Sequence, residues 1–375
     1  MRPIQMVDLK GQYANIKPEV DLAIQEVLET TAFINGKQVS DFSRNLSQYL
    51  GIENVIPCAN GTDALQIALM GLGLKPGDEV ITPSFTFIAT TEVVALLNLK
   101  PVFADVDPKT FCLDPISLEK HITKKTKAIV PVHLYGQSAP MKEIMDLADN
   151  YGLKVVEDNA QAIGSDYIYP DGKKYKTGTI GTAGTTSFFP SKNLGAYGDG
   201  GALFTRDAAL AETFKMIANH GQKKRYYHEI IGCNSRLDTI QAAVLNVKLP
   251  LLDKYISNRR KAADFYDQAF KNHPKITIPY RAPYSKHVFH QYTLLLEDAD
   301  RNQLNEYLAK KNIPSMIYYP VPAHRQNMFS SFQSGSQHLG VTDWLTERVI
   351  SLPMHTELDE EQLEFICTSV LEFLN

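Results

Sequence analysis

The sequence predicts an α/β fold in which helices cover a mostly parallel β-sheet, followed by a smaller α+β region. Short apolar runs alternate with amphipathic helical patterns from about residue 55 to residue 205, as in parallel sheets that are covered on both faces. This alternation stops near residues 249–255, where a long helical pattern begins. We therefore predict a large domain over residues 1–250 and a smaller C-terminal domain over residues 251–375.

The individual elements follow from apolar runs bounded by turn residues and from helical periodicity. Strands are predicted at residues 79–83, 101–105, 128–132, 154–157, 185–189 and 202–205. Helices are predicted between them at residues 62–71, 89–97, 141–151 and 208–219. The C-terminal region is predicted to begin with a helix over residues 256–270 and to contain strands near residues 291–296 and 315–319.

Composition excludes several classes of protein. The 375 residues are 44% hydrophobic and 21% charged, with a net charge of −4, so neither a nucleic-acid partner nor a membrane partner is indicated. The cysteines lie far apart, with no C-x-x-C pair: Cys58, Cys112, Cys233 and Cys367. We therefore expect no metal site, no disulfide scaffold and a cytoplasmic location. We expect neither a signal peptide nor a membrane span, because the apolar runs are too short.

A segment typical of a phosphate site precedes the first predicted helix. Residues 58–65 are Cys-Ala-Asn-Gly-Thr-Asp-Ala-Leu, in which Gly61 permits close backbone approach and Thr62 falls at the helix start. The unpaired N–H groups and the dipole of a helix start attract a phosphate. The same residues also form a good helix N-cap, so the sequence leaves both interpretations open.

Lys192 lies in a glycine-rich loop just beyond a predicted strand. Residues 186–203 are TSFFPSKNLGAYGDGGAL, with four glycines after the lysine. Glycine lets the backbone pack closely against a flat ligand, and Ser187 offers a hydroxyl group to the same ligand. The alternative interpretation is a glycine-rich turn with Lys192 in water.

Asp158 follows another buried strand, and ligands of α/β sheets gather at the carboxyl ends of strands. A carboxylate there suits pairing with a protonated pyridine nitrogen, which keeps the ring an electron acceptor. Gln161, one turn later, would face the same site. A helix N-cap role is the alternative for Asp158.

Together these segments resemble the DegT/DnrJ/EryC1/StrS family of sugar aminotransferases, which have the pyridoxal-phosphate (PLP) transferase fold type I. The motifs that carry the resemblance are CANGTDAL, TPSFTFIAT, PVHLYGQ, VVEDNAQAIG, SFFPSKNLGAYGDGGAL, NHGQ, GCNSRLDTIQAA and YYPVP. They occur in family order, and the resemblance runs from about Ile4 through SLPMH at Ser351–His355, essentially the whole chain.

The resemblance implies that Lys192 holds PLP as a Schiff base and moves protons, while Asp158 binds the pyridine nitrogen. The other implied cofactor contacts are Gln161 near the ring hydroxyl, Phe87 on the ring face, and Gly61, Thr62 and Ser187 at the phosphate. Asn234 would reach the phosphate of the neighbouring subunit's cofactor, which implies a homodimer with shared active sites.

The resemblance also implies the reaction. L-glutamate would convert PLP to pyridoxamine phosphate (PMP), which would then aminate a nucleotide-linked keto-sugar for polysaccharide or other amino-sugar synthesis. Relatives with histidine in place of Lys192 are dehydratases, so the lysine favours transamination. Ser235 in GCNSRLDTIQAA favours amination at C3, hence a UDP- or dTDP-linked 3-keto-hexose. The implied substrate contacts are His220, Arg236, Tyr318 and Tyr319.

Several alternatives are left open. The basic loop at residues 223–227 would meet the nucleotide diphosphate or remain a solvated turn. His324 is undecided, whereas His133 is predicted to be structural. A 4-keto nucleotide sugar or a cyclitol ketone is an alternative substrate. A non-enzymatic regulatory relative is disfavoured, because Lys192 and Asp158 are both present.

Overall fold

The computed structural model describes residues 1–332 and 338–375. Its strands are β1 (Asn54–Cys58), β2 (Glu79–Pro83), β3 (Lys100–Ala104), β4 (Thr126–Ile129), β5 (Lys154–Asp158), β6 (Asp166–Ile168), β7 (Lys174–Lys176), β8 (Ala183–Ser187), β9 (Gly201–Thr205), β10 (Gln222–Lys224), β11 (Tyr227–His228), β12 (Ile276–Thr277), β13 (Tyr292–Leu296) and β14 (Val349–Leu352). Its helices are α1 (Leu9–Ala14), α2 (Lys17–Thr30), α3 (Lys37–Leu50), α4 (Gly61–Gly71), α5 (Ala89–Leu96), α6 (Pro115–His121), α7 (Met141–Tyr151), α8 (Ala208–Ala218), α9 (Thr239–Lys248), α10 (Leu252–Phe270), α11 (Arg301–Lys310), α12 (Gly340–Arg348) and α13 (Glu360–Leu374). No helix within the described residues combines the length and the apolarity that crossing a membrane requires.

The central sheet has the strand order β1-β9-β8-β5-β4-β2-β3. Strands β8, β5, β4, β2 and β3 run parallel to one another, whereas β9 runs antiparallel to both of its neighbours. Every strand predicted up to residue 205 overlaps an observed strand, and the four helices predicted there agree with α4, α5, α7 and α8 to within one residue. The predicted α/β class with a mostly parallel sheet is confirmed.

Helices cover the central sheet, and its inner strands are buried. All five residues of β2 and all five of β9 are buried, which is expected when both faces of a sheet are covered. Helix α4 packs against β8 and β9, and α8 packs against β1. Because the parallel strands point the same way, the carboxyl ends of β2, β4, β5 and β8 lie along one edge of the sheet. The loops at this edge carry most of the predicted site.

The C-terminal part has its own small sheet, in the order β12-β13-β14, and all of its strand pairs are antiparallel. Helices α10, α11 and α13 share an apolar core with this sheet, to which Tyr266, Leu304 and Ile366 contribute. The predicted strand at residues 291–296 corresponds to β13, and the predicted helix at 256–270 lies within α10. The division into domains at residue 250 stays a prediction.

The predicted strand at residues 315–319 is wrong. Met316 forms a single bridge with Ser351, through hydrogen bonds of 3.1 and 2.7 Å between their backbones. The chain then leaves the sheet, and the Tyr318 carbonyl accepts a hydrogen bond from the hydroxyl of Tyr135. Contacts with the edge of the central sheet therefore replace strand pairing in this segment.

Candidate active site

Lys192 is carried by a tight loop that follows β8. Its backbone N–H donates to the Phe189 carbonyl at 2.8 Å. A Cβ at Gly195 would lie 2.2 Å from the carbonyl oxygen of Pro190, so this close approach requires glycine. Lys248 supports the loop from α9, because its Nζ donates to the Gly195 carbonyl at 2.6 Å. The backbone that presents Lys192 is thus fixed on both sides of the lysine.

The surroundings of Lys192 favour its neutral amine. Desolvation lowers the pKa of Lys192 from 10.5 to about 8, although the Asp158 carboxylate partly opposes this effect. The side chain is half-buried, which does not fit a lysine lying in water. Because the unprotonated amine is the form that attacks an aldehyde, this lysine is suited to covalent catalysis.

Asp158 ends β5 and is buried, with 5% of its surface exposed. Its Oδ2 accepts a hydrogen bond from the Thr90 hydroxyl at 2.8 Å, and its Oδ1 accepts one from the backbone N–H of Ala160 at 3.1 Å. The second contact lies within a turn over residues 160–164 and not at a helix start, so the helix N-cap alternative for Asp158 is wrong. An ionised carboxylate has about four acceptor positions, so Asp158 can still receive a proton donor from a ligand.

Gln161 links three parts of the site. Its Oε1 accepts a hydrogen bond from the Tyr135 backbone N–H at 2.7 Å, and its Nε2 donates to the Tyr319 hydroxyl at 2.9 Å. Burial raises the pKa of Tyr319, so the hydroxyl stays protonated. The Tyr319 ring lies 6.2 Å from that of Phe87, which is 54% exposed. An exposed phenyl ring at this edge is available to cover a flat ligand.

The two halves of the predicted phosphate site adjoin. Gly61 begins α4, and Asn60 caps this helix by accepting the Asp63 N–H at 2.8 Å. A Cβ at Gly61 would lie 2.7 Å from Cβ of Ser187 at the end of β8. The capping and phosphate interpretations are compatible, because the first turn of a helix has several N–H groups without a helical partner and Asn60 uses one of them. The Gly61 and Thr62 N–H groups and the Ser187 hydroxyl can thus serve one anion.

Three other predicted residues are not joined to this cluster by hydrogen bonds within the part of the chain that the structure describes. His220 and Asn234 are exposed, and Arg236 is half-buried and donates to the Asn219 side chain at 3.3 Å. Within the described residues, no hydrogen bond joins these three side chains to Lys192 or Asp158. The basic loop at residues 223–227 forms part of the exposed hairpin of β10 and β11.

His133 and His324, the other two histidines considered in the sequence analysis, are both buried and contact neighbouring protein groups. His133 is fully buried, and its Nε2 lies 2.8 Å from a carboxylate oxygen of Glu157. Its Nδ1 accepts a backbone N–H from Ala139 at 3.0 Å, so the proton is on Nε2 and points to Glu157. The Nδ1 of His324 lies 2.7 Å from the Ser84 hydroxyl, and the ring is buried.

These residues fit PLP, because Lys192 could meet its aldehyde, the start of α4 with Ser187 its phosphate, and Asp158 its ring nitrogen. Sequence reasoning missed Thr90 and the backbone N–H of Tyr135. A signal for Thr90 existed in the TPSFTFIAT motif, of which only Phe87 was assigned. The contact of Tyr135 has no such signal, because a backbone N–H is common to all residues except proline.

Comparison with known proteins gives matches over nearly the whole chain. The profile of the DegT/DnrJ/EryC1/StrS aminotransferase family matches residues 14–371. The chain is 44% identical to the UDP-2-acetamido-2-deoxy-3-oxo-D-glucuronate aminotransferase of Pseudomonas aeruginosa, over 98% of this chain and 99% of the relative. It is 42% identical to the UDP-N-acetyl-3-dehydro-alpha-D-glucosamine 3-aminotransferase of Acidithiobacillus ferrooxidans, over 99% and 98% of the two chains. The crystal structure of S. venezuelae DesV in complex with a ketimine intermediate superposes with a TM-score of 0.95 at 36% identity, covering 100% of this chain and 99% of that one.

Proposed function

Since the chain belongs to the DegT/DnrJ/EryC1/StrS aminotransferase family, we propose that it transfers an amino group from L-glutamate to C3 of a nucleotide-linked 3-keto-hexose. Family membership confirms the predicted enzyme class, the transferase fold type I and the cofactor, PLP or PMP. The observation that carries the proposal is the half-buried Lys192 amine beside the buried Asp158 carboxylate. We place this reaction in the cytoplasm, in the synthesis of amino sugars for polysaccharides.

Each residue of the cluster has its own task in this proposal. When bound, PLP supplies an aldehyde that amines can attack and a ring that accepts electrons. Lys192 would hold the aldehyde carbon and, once displaced, would move a proton between that carbon and the reacting carbon of the substrate. Asp158 would keep a proton on the ring nitrogen. Phe87 would cover the ring face, and Gln161 would lie beside the ring hydroxyl.

The phosphate would be held by the start of α4 and the end of β8. The Gly61 and Thr62 N–H groups and the Ser187 hydroxyl would donate to its oxygens, and the helix dipole would favour its negative charge. This arrangement fixes the cofactor at its far end. Lys192 and Asp158 would then meet the aldehyde and the ring nitrogen at defined positions.

The keto position follows from two observations. The two relatives named above carry names that specify a 3-oxo or 3-dehydro UDP-linked sugar. Ser235, where relatives that act at C4 more often have an aromatic residue, is fully buried and accepts the Ala59 N–H at 3.1 Å. Tyr318, Tyr319, His220 and Arg236 are the proposed sugar-nucleotide contacts.

A substrate panel tests the function. The purified chain would be incubated with PLP, L-glutamate and one acceptor at a time: a UDP-linked 2-acetamido-3-keto-hexose, a dTDP-linked 3-keto-6-deoxyhexose, a 4-keto nucleotide sugar or a keto-inositol. The expected result is release of 2-oxoglutarate together with conversion of the 3-keto acceptor to its 3-amino product. Amination of the 4-keto sugar or the cyclitol alone would refute the C3 assignment, and no amination at all would favour a regulatory relative.

The homodimer is proposed through Asn234. This side chain is exposed in the single chain, beside the buried Ser235, whose hydroxyl accepts the N–H of Ala59 just before the predicted phosphate site at Gly61. If Asn234 completes the neighbouring subunit's site, each site combines Lys192 of one chain with Asn234 of the other.

Mixing K192A and N234A chains tests this arrangement, because a mixed dimer would contain one intact site. Random mixing should then give about a quarter of wild-type activity, since half of the dimers are mixed. Activity that equals only the mean of the two parents, or a monomer by light scattering, would rule out the shared site.

A further inference from the structure

We infer that Thr90 is a positioning residue that orients the Asp158 carboxylate, and that Thr86 supports it through a relay of two hydroxyl groups. This inference rests on the proposed role of Asp158 and deepens it. It also gives Thr86 and Thr90 a role within the TPSFTFIAT segment, of which only Phe87 is predicted from the sequence to contact the cofactor.

The relay connects parts of the sheet that are not adjacent. Strand β4 lies between β2 and β5, and Thr90 belongs to α5, which follows β2 in the chain. Its hydroxyl nevertheless lies 2.8 Å from Oδ2 of Asp158, and the Thr86 hydroxyl lies 3.1 Å from that of Thr90. Thr90 is 1% exposed, Thr86 4% and Asp158 5%. Water therefore has little access to replace either hydroxyl.

The direction of the hydrogen bonds follows from counting protons. An ionised carboxylate can only accept, so the single hydroxyl proton of Thr90 points to Asp158. The Thr90 oxygen is then an acceptor, and the Thr86 hydroxyl must supply the proton between the two threonines. Both bonds point toward the carboxylate, and in a buried site successive hydrogen bonds strengthen one another.

This arrangement fixes the plane of the carboxylate. The Ala160 N–H holds Oδ1 at 3.1 Å and the Thr90 hydroxyl holds Oδ2 at 2.8 Å. Rotation about the bond between Cβ and Cγ would break both contacts. The remaining acceptor positions of Asp158 are thus aimed in one direction before a ring nitrogen arrives. Without the Thr90 hydroxyl, only the Ala160 contact would resist rotation.

Thr91 shows that the contact of Thr90 is not required by the helix itself. The Thr91 hydroxyl, which is fully buried, donates to the Ile88 carbonyl at 3.0 Å. It thus makes the local backbone contact usual for threonine near a helix start. Thr91 therefore offers a matched control, with the same side chain and similar burial but a hydroxyl bonded to the backbone.

The test compares the affinity of the cofactor-free chain for PLP with its affinity for the analogue in which CH replaces the ring nitrogen. The wild type should prefer PLP, because only PLP offers a proton to Asp158. T90V should reduce this preference by about tenfold, the usual scale for a hydrogen bond to a charged group. T91V and the conservative variant T90S should retain it. T86V should have a smaller effect than T90V, and the T86V/T90V double variant should match T90V, because Thr86 acts through Thr90.

The outcomes separate this inference from the proposed function. If the wild type binds both compounds equally, the proposed role of Asp158 fails. If the wild type prefers PLP and T90V keeps that preference, only the positioning role fails. Equal weakening of both compounds in T90V would show a purely structural role and would also overturn the inference. Should T90V fail to fold, T90A and T86V carry the same comparison.

Discussion

The Asp158 carboxylate raises the pKa of the Lys192 amine, while burial lowers it by a larger amount, to about 8. The two effects together leave a larger neutral fraction of the amine near neutral pH than a solvated lysine has, although the protonated form still predominates. The reactivity of the Lys192 amine therefore depends on the charge of Asp158. Removing the Asp158 charge should therefore shift the pKa of Lys192 in a predictable direction.

Replacing Asp158 by asparagine should lower the pKa of Lys192 in the cofactor-free chain further below 8, because the charge that favours the protonated amine is lost. The rate at which Lys192 attaches PLP should rise with pH through about 8 in the wild type, as the amine loses its proton. In D158N this midpoint should lie at lower pH. Stopped-flow absorbance over a pH series would measure it.

Asp199 provides the control, because it lies in the Lys192 loop but is exposed. D199N should leave the midpoint unchanged. A wild-type midpoint near the ordinary lysine value, or an unchanged midpoint in D158N, would contradict the electrostatic account.

Replacing Gln161 by alanine should destabilise the fold by about 1–3 kcal/mol, because the buried Tyr135 N–H loses its acceptor. Y319F removes only the hydroxyl that accepts a hydrogen bond from Gln161. Its free energy of unfolding should therefore fall by less, about 1 kcal/mol. Urea unfolding of both variants would measure the difference. A Q161A variant no less stable than Y319F would count against the buried hydrogen bond.

Replacing Glu157 by glutamine should destabilise the fold by about 3 kcal/mol or more, because an amide nitrogen cannot accept a hydrogen bond. One oxygen of Glu157 accepts the N–H groups of Ile180 and Gly181, and the other accepts those of Gly178 and His133. In either orientation of the glutamine side chain, its NH2 group would therefore face protein N–H groups that need an acceptor. Calorimetry with E364Q, at an exposed position, as the control should show a large loss only for E157Q. Similar melting temperatures for the two variants would refute this network.

Replacing Gly61 by alanine should weaken PLP binding by about tenfold or more, the scale of overpacking in a tight site. The new methyl group would lie 2.7 Å from Cβ of Ser187. S187A leaves the space at the site open but loses one hydrogen bond to the charged phosphate, which should weaken binding by about tenfold. Absorbance titration of the cofactor-free chain would compare them, and wild-type affinity in G61A would place the phosphate elsewhere.

The sheet could be predicted because its inner strands are short apolar runs separated by helical patterns. Strand β1 gave a weaker signal, since it contains Pro57, which has no N–H for the ladder. The structure places β1 at the edge of the sheet, where proline is tolerated. The antiparallel direction of β9 also has no local signature, because it depends on how the chain returns to the sheet.

The site was predictable only in part, for a related reason. Asp158 and Gln161 follow a buried strand, so their place at the carboxyl edge follows from sequence position. The contact of Thr90 with Asp158 crosses β4, and it depends on a strand order that the sequence does not display. The tyrosine pair at 318–319 resembles a strand in composition, but its tertiary contacts with Tyr135 and Gln161 draw it away from pairing.

Borohydride reduction followed by peptide mapping tests whether Lys192 bonds covalently to PLP. The structure offers a natural rival in Lys248, which is 1% exposed and whose pKa burial also lowers to about 8. We predict a single pyridoxyl group on Lys192 and none on Lys248. A pyridoxyl group on Lys248 or on any other lysine, or a reduced chain that carries none after incubation with PLP, would contradict it.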